Sequence, residues 1–399
     1  MRHVKFPAAL AIIFLGVSGH DICAQGIPSV PIGPTSASGA TLAGTVVADG
    51  TGMPLPYSTV SIDQIGRERF TDQVGAFVYH GIPAGTYRIR VRQLGYTPLD
   101  TTIRITLRHP VSPVFTMRRI PTALAQVQVS APVRRCIVPA ESGFVDDPEL
   151  ATVLGEARKN ADRERLLRRT YPFEYRLAQS HSTFDVAAET QTIRYDTMTF
   201  RSDDNWRYRK GRVVSDDRNK LFGEVRVMRL PTLADLADRG FLTAHCFKYS
   251  GIHDFNGIPT HRIDFAPDSA LVSPDVEGSI FIDSASYIIR RAEFRLTRGG
   301  SVTPAILGMT VTTTYREILP NVALFDEIAS VQPLGKKMGG ANGKEFREMQ
   351  RLMSFRFLKG GPPGTDGHRW IAAAAATADT AAAAKASAVR ETAPIGPPP

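Results

Sequence analysis

Apolar and polar residues follow two rhythms along this chain, and the rhythms predict its elements. From 41 to 107, short runs alternate β-branched or aromatic residues with polar ones between Gly, Pro and Asp turns, which is typical of a β-sandwich. One helical pattern follows up to Arg169, with Asp147 as N-cap and Pro148 in the first turn. Its apolar positions are Leu150, Val153, Leu154, Ala157 and Ala161. Alternation resumes from 173 to 357, which predicts many consecutive antiparallel strands.

The sequence therefore predicts a mainly β protein: an N-terminal seven-stranded β-sandwich, then a helix and a larger curled antiparallel β-sheet domain. The predicted strands of the larger domain include 206–214 and 246–249, with a short helical insertion at 233–239. The segments that we predict are a signal peptide at 1–24, a linker at 25–40, the sandwich at 41–118, a connecting segment at 119–146, the helix and antiparallel β-domain at 147–358, and a disordered Ala/Pro-rich tail at 359–399.

The N-terminus has the pattern of a secretory signal. Arg2 and Lys5 precede an apolar run at 8–17, and Ala24 suits a cleavage site. The alternative, an N-terminal anchor helix, needs about 20 apolar residues, and polar residues end this run early. We expect export to the periplasm or association with the outer membrane, with no transmembrane helix after cleavage.

Composition excludes several classes of protein. Of 399 residues, 22% are charged and 43% hydrophobic, which is ordinary for a globular chain. The net charge of +9 is spread along the sequence without a basic block, so we expect no nucleic-acid partner. Three cysteines exclude a disulfide-dense scaffold or a four-cysteine zinc site. After cleavage Cys136 and Cys246 remain, and they either form one disulfide or stay as buried thiols.

No pattern of catalytic chemistry stands out. His245, His253 and His261 recur every eight residues, but metal sites usually bring two ligands at shorter spacing. Phosphate-binding, dinucleotide-binding and serine-hydrolase motifs are missing from the sequence. We therefore predict no catalytic residue, no metal ligand, no cofactor and no enzyme activity; a hydrolase with an unrecognised arrangement is the alternative.

One set of separated motifs resembles a known family. The residues are Gly44, Pro54, Asp72, Gly75, Phe77, Gly85, Tyr87, Gly95 and Tyr96. In this order they resemble the carboxypeptidase regulatory-like domain, which is similar to transthyretin-like and carbohydrate-binding-like sandwiches. The resemblance implies structural roles for these residues and no peptidase activity. Such domains often precede TonB-dependent outer-membrane receptors, but the rest of the chain is too short for a plug and a barrel.

A looser resemblance covers part of the larger domain. The segments 255–265, 278–283 and 289–294 resemble central strands of envelope proteins related to lipoprotein-sorting carriers. The resemblance implies an antiparallel half-barrel around a helix, with a lipophilic groove. Ile280, Ile282 and Phe294 would line that groove, unless they form a plain packed core.

The predicted function is binding. We expect a non-enzymatic interaction module of the bacterial envelope whose partner is an envelope protein, a glycan or a lipophilic ligand. Tyr57, Tyr79 and Tyr96 are candidates for stacking on sugars, with turn and core roles as the alternative. A periplasmic carrier of a lipophilic ligand and an accessory protein of a TonB-dependent system are the other hypotheses.

Overall fold

The structure is a computed structural model, and it confirms a mainly β protein with one long helix. It describes residues 39–107, 111–121, 136, 147–185, 190–202, 207–219, 223–299, 308–333, 344–365 and 369–371. Within these ranges no helix combines the length and apolar character needed to cross a bilayer. The predicted signal peptide and most of the linker and the tail lie outside the described residues, so the segment boundaries stay predictions.

The N-terminal module has the seven strands predicted for it. They are β1 (Ala40–Ala48), β2 (Thr59–Ile62), β3 (Arg67–Phe70), β4 (Ala76–Ile82), β5 (Gly85–Arg92), β6 (Leu99–Ile105) and β7 (Val114–Met117). One sheet has the order β4-β1-β7 and the other β3-β2-β5-β6. β7 pairs in parallel with β1, and all other pairs in the module are antiparallel. Apolar side chains from both sheets meet in one core.

Several family-motif residues shape this module. Phe77 and Phe115 stack with ring centroids 5.8 Å apart, and a Cβ on Gly44 would lie only 2.8 Å from the Phe77 ring. Asp72 Oδ1 accepts the N–H of Ala76 at 2.8 Å, and Gly75 takes a φ of 73° in the same turn. The glycines thus allow a close approach and a turn that side chains would block.

Three further motif residues also have local contacts. The Tyr87 hydroxyl donates to the carbonyl of Pro83 at 2.9 Å, and its ring covers Gly85. Pro54 bridges to Val47 at the end of β1. These contacts fix the connections between strands of the sandwich.

The long helix α1 (Pro148–Thr170) begins where the sequence predicts. The Asp147 carboxylate accepts the N–H groups of Glu149 at 2.9 Å and Leu150 at 3.1 Å, which caps the helix. All five predicted apolar positions are buried. Unexpectedly, polar residues of α1 are buried as well: Glu156, Lys159, Asn160, Arg163 and Glu164.

The larger domain is built on one long antiparallel sheet. After α1 the elements are β8 (Phe173–Asp185), β9 (Thr190–Arg201), β10 (Val214–Asn219), β11 (Gly223–Met228), α2 (Arg239–Leu242), β12 (His245–Phe255), β13 (Ile258–Pro267), β14 (Val276–Asp283), β15 (Ile289–Leu296), β16 (Thr310–Leu319), β17 (Val322–Pro333), β18 (Lys344–Phe357) and β19 (Arg369–Ile371). The sheet order is β12-β13-β14-β15-β16-β17-β18-β8-β9, and β19 also pairs with β18. β10 and β11 form a separate hairpin.

Two predicted strands differ from the structure. The prediction at 206–214 is wrong, because residues 207–213 form an irregular segment with a turn at 210–211 and the strand begins at Val214. The run at 246–249 is only part of β12, since the register shifts between Tyr249 and Ile252, where Gly251 has a φ of 83°. This bulge breaks the alternation on which the prediction depended.

Helix α1 packs on one face of the long sheet, which we call the inner face. Ile280, Ile282 and Phe294 are at most 2% exposed and belong to the core beneath the helix. They therefore form a packed core and do not line an open groove. Tyr57 and Phe70 of the N-terminal module join the same core, and Phe70 stacks on Tyr171 with centroids 5.9 Å apart.

Candidate functional site

A set of buried polar side chains lies on the inner face, on strands β8, β17 and β18. Strand alternation places them beside apolar residues that contact the helix. We call this set the polar cluster, and its members are Gln179, Ser330, Gln332, Glu348 and Gln350. Each is at most 8% exposed. Buried polar groups are normally hydrogen-bonded, so the hydrogen bonds of each member of the polar cluster have to be accounted for.

Glu348 lies at the centre of the polar cluster. Its Oε1 accepts amide N–H groups from Gln179 at 2.7 Å and from Gln350 at 2.6 Å. The register places Gln179 opposite Gln350 and His181 opposite Glu348 on β8 and β18. His181 Nδ1 lies 3.8 Å from Glu348 Oε2. The carboxylate is thus held in position by two neutral amides.

Two acceptor atoms of the polar cluster have no protein partner. Ser330 Oγ and Gln332 Oε1 are buried, and no group in the described part of the chain hydrogen-bonds to either. Burying such a group without a partner costs about 1–3 kcal/mol. Water or a ligand that donates hydrogen bonds would remove this cost.

Beside the polar cluster, the inner face of β9 is exposed to solvent. Arg194 and Asp196 lie opposite His181 and Gln179 in the register, and both are exposed. The His181 ring stacks on Phe346 with centroids 6.0 Å apart and is 32% exposed. A ligand that enters over β9 would meet this aromatic pair before it reaches Glu348.

A small cavity lies between α1 and the sheet beside Gln350. Its volume is about 40 Å³, and its walls include Leu177, Phe325, Ile328 and Tyr315. Burial raises the pKa of Tyr315, which keeps its hydroxyl neutral. Pockets that enclose small-molecule ligands have volumes of about 300–1,000 Å³, so this space suits a few water molecules.

The tyrosines proposed for sugar stacking do not form an aromatic shelf. Tyr57 is 1% exposed and Tyr79 is 5% exposed, so both have core roles and the stacking hypothesis is wrong for them. The Tyr79 hydroxyl donates to the carbonyl of Val60 at 2.6 Å. Tyr96 is half-buried and packs against the core of the N-terminal module.

Gly95 and Tyr96 of the family motif contact helix α1. The Gly95 N–H donates to Glu156 Oε2 at 3.0 Å. Lys159 Nζ donates to Glu156 Oε1 and to the Tyr96 carbonyl, each at 2.6 Å. Burial lowers the pKa of Lys159, although Glu156 opposes this shift. The motif residues therefore join the module to the helix.

Arg163 and Asn160 extend this contact in two directions. Arg163 donates to the Tyr57 carbonyl and to Gln93 Oε1 of the N-terminal module. Burial lowers the pKa of Arg163 to about 9, so it remains charged at neutral pH. Asn160 Nδ2 donates to the carbonyl of Tyr287 on the sheet side at 2.8 Å. The buried polar side chains of α1 thus link both parts of the protein.

The three regularly spaced histidines do not converge. The His245 ring nitrogens lie 2.9 Å and 3.0 Å from the carbonyl oxygens of Phe241 and Val276. His261 Nδ1 lies 2.9 Å from the hydroxyl of Tyr249, and His253 contacts the carbonyl of Ser250. Among the described His, Cys, Asp and Glu residues, no group of three or more is arranged to hold a metal ion.

Cys136 and Cys246 are joined by a disulfide in the structure, with Cα atoms 5.6 Å apart. The Cys136 N–H donates to Ser269 Oγ at 3.0 Å, and the Ser269 N–H donates to the Cys136 carbonyl at 2.8 Å. These contacts attach Cys136 to the loop between β13 and β14.

Sequence reasoning did not find the polar cluster. Glu and Gln in a strand are normally assigned to the solvent-facing side. The available signal is phase: Glu348 and Gln350 alternate in step with Phe346 and Leu352, whereas the charged Arg347 is out of step.

Comparison with solved structures finds similar chains at low identity. A chain of a type II cohesin–X-dockerin complex from Acetivibrio cellulolyticus has 24% identity over 20% of this chain and about half (52%) of its own length, with a TM-score of 0.15. A putative outer membrane lipoprotein-sorting protein domain from Vibrio parahaemolyticus has 14% identity over 51% of this chain and 94% of its own, with a TM-score of 0.28. A LolA superfamily protein from Nitrosomonas europaea has 10% identity over 53% and 94%, with a TM-score of 0.27.

At these TM-scores the solved structures identify neither a family nor a ligand for this chain. A comparison with curated proteins found no match. The family model of the carboxypeptidase regulatory-like domain matches residues 41–132. The chain thus carries a carboxypeptidase regulatory-like domain, and this domain includes the seven strands of the N-terminal module.

Proposed function

We propose that this protein is an exported, non-enzymatic binding protein of the bacterial envelope. Its ligand is a hydroxyl-rich molecule of the glycan class, bound on the inner face at the polar cluster. The N-terminal module and α1 hold the long sheet in place and do not contact the ligand.

The observation that carries this proposal is the surplus of acceptors in the polar cluster. Glu348, Gln332 and Ser330 present carboxylate, amide and hydroxyl oxygens. The buried Gln332 Oε1 and Ser330 Oγ have no hydrogen-bond partner among the described residues. Sugar hydroxyl groups both donate and accept hydrogen bonds, so they can donate to these oxygens and also accept from the Ser330 hydroxyl. The stacked rings of His181 and Phe346 at the opening would contact the apolar face of a sugar.

Titration calorimetry with the best oligosaccharide from a glycan array tests the proposal. Glu348→Gln keeps the size of the side chain but removes its charge, and we expect about a tenfold loss of affinity, as for a charge-assisted hydrogen bond. Glu345→Gln is the matched control, because it makes the same change on β18 but on the opposite face, where Glu345 pairs with Arg347 at 2.7 Å.

We expect the control to bind as tightly as the unaltered protein. Equal affinity of the Glu348→Gln variant, or no binding to any oligosaccharide on the array, would refute glycan binding at this site. Circular dichroism of both variants shows that a loss of affinity does not reflect unfolding.

Native mass spectrometry of protein purified gently from a periplasm separates the other hypotheses. A bound mass in the lipid range would favour a carrier, which would require α1 to move away from the packed inner face. A bare chain that binds no oligosaccharide would leave a role as a protein-binding accessory, for example beside a TonB-dependent receptor.

A further inference from the structure

Strand β9 is the last strand of the long sheet in the described part of the chain. It pairs with β8 along its whole length. In the part of the chain that the structure describes, no strand pairs with its other side. A long unpaired edge presents a row of backbone N–H and C=O groups that can pair with another strand.

Both faces of β9 are uncovered around the middle of the strand. All residues from 193 to 199 are exposed. Tyr195 is 76% exposed, Ile193 is 41% exposed and Met198 is 37% exposed. Proteins usually blunt a free edge by keeping it short, bulged or covered, but β9 has 12 residues and pairs with β8 without a register shift.

We propose that β9 pairs with β9 of a second copy of this chain. The two strands run antiparallel about a two-fold axis that passes between the two Tyr195 residues. This pairing joins two long sheets into one continuous sheet, and the interface is made by the same surface of each copy. The inference does not depend on the ligand of the polar cluster.

Strand geometry leaves few registers for such a pair. A two-fold axis perpendicular to the sheet places inner-face residues of one copy opposite inner-face residues of the other. Because side chains alternate between the faces, the axis must then pass through a residue position and not between two residues. With the axis at Tyr195, residues 190 to 200 of one copy lie opposite 200 to 190 of the other. This register uses almost all of Thr190–Arg201.

Charge selects this register from its neighbours. With the axis at Tyr195, Arg194 of each copy lies opposite Asp196 of the other, so two opposite-charge pairs form. Moving the axis to residue 194 places the two Arg194 side chains opposite each other, and moving it to residue 196 places the two Asp196 side chains opposite each other. Directly opposed like charges destabilise a strand pair, whereas opposite charges stabilise it.

The same register brings the most exposed apolar side chain of β9, Tyr195, next to its own copy. The two Tyr195 rings lie side by side on the outer face, and Ile193 lies opposite Thr197. In the single chain Asp196 Oδ1 accepts the N–H of Thr197 at 2.6 Å. In the pair, the Asp196 carboxylate would instead contact the Arg194 guanidinium of the second copy.

Light scattering after size exclusion tests the charge pairs. We expect the unaltered protein to have twice the mass of one chain. Arg194→Glu alone and Asp196→Arg alone each place like charges opposite each other, so both variants should be single chains. A mixture of the two variants restores both attractive pairs and should form a heterodimer. A monomeric unaltered protein, or dimerisation unaffected by either variant, would overturn the proposal.

A crosslink reads the register directly. Opposed residues in an antiparallel pair have Cα atoms about 4.5–5.5 Å apart, which suits a disulfide. Tyr195→Cys should therefore form a crosslinked dimer under oxidation. Thr199→Cys is the matched control, because the two copies of that position would be offset by eight residues, about 26 Å. Equal crosslinking of both variants, or none with Tyr195→Cys, would contradict the register.

Discussion

His261 shows how burial sets the chemistry of a single residue. Its ring lies parallel to that of Tyr287 with centroids 5.7 Å apart, and Nδ1 faces the Tyr249 hydroxyl at 2.9 Å. Burial lowers the pKa of His261 below its ordinary value of 6.5, and the attraction of Asp283 only partly opposes this. The folded protein therefore holds a neutral imidazole at this position.

We expect His261 to make stability depend on pH. Because its pKa is lower in the folded chain, the unfolded chain binds the proton more tightly. The contribution of neutral His261 to the free energy of unfolding is complete above pH 6.5 and is lost as the pH falls from there toward the lowered pKa. Urea unfolding at several pH values should show a smaller loss on acidification for His261→Gln than for the unaltered protein.

His253→Gln is the control for this comparison, since His253 is half-buried near the end of the neighbouring strand β12. We expect it to lose stability on acidification as the unaltered protein does. Parallel pH profiles for the unaltered protein and His261→Gln would show that His261 does not contribute.

Single residues also show what the sequence could predict. Asp147 is a recognisable N-cap because it directly precedes a proline and an apolar helical pattern, which leaves few other positions at which the helix could begin. Tyr57 and Tyr79 could not be assigned to a surface or a core, because an aromatic residue in a short strand or in the turn beside it suits either. Their burial depends on what packs above them, which local patterns do not contain.

At the scale of the element, α1 behaves as a polar connector. A surface helix normally has one apolar face and one solvated face. In α1 polar side chains of the second face are buried against the N-terminal module. Glu156, Lys159 and Arg163 form hydrogen bonds with backbone groups of that module. The sequence predicted the helix from its apolar positions but gave no indication that its polar positions were covered.

We expect Arg163→Met to lower the free energy of unfolding by about 2 kcal/mol or more. The substitution leaves the Tyr57 carbonyl and the Gln93 side-chain oxygen without this donor in a buried setting. Arg165→Met is the matched control. Arg165 is 47% exposed and makes an ion pair of the kind that contributes about 0–1 kcal/mol. Urea unfolding of both variants measures the difference, and equal losses would refute a structural role for the network.

At the scale of the molecule, the disulfide fixes the connecting segment against the long sheet. It joins residues 110 positions apart. In the chain-entropy model a loop of this length stabilises the folded state by about 5 kcal/mol.

We expect the purified protein to have a mass about 2 Da below that of the reduced chain, because the bond removes two hydrogens. The double variant Cys136→Ser with Cys246→Ser should melt at a lower temperature than the oxidised protein. Reduction of the unaltered protein should lower the melting temperature by a similar amount. Two free thiols in protein kept under oxidising conditions would contradict the prediction.

The order of the long sheet was only partly predictable. Consecutive strands with short turns predict neighbours, and β12 to β18 follow that rule. The position of β8 and β9 beside β18 does not follow from it, because these strands come from the other end of the domain. The polar cluster forms at this junction, so no local pattern could have brought its residues together.

The pairing of β8 with β18 has a consequence for how the chain acquires its fold. Gln179 and Glu348 are 169 positions apart in the sequence, so β8 is synthesised long before its neighbour. Contacts between such distant residues slow folding and leave strand edges open to aggregation in the meantime. A chain truncated before residue 344 should retain this open edge permanently, and chaperones would have to shield it.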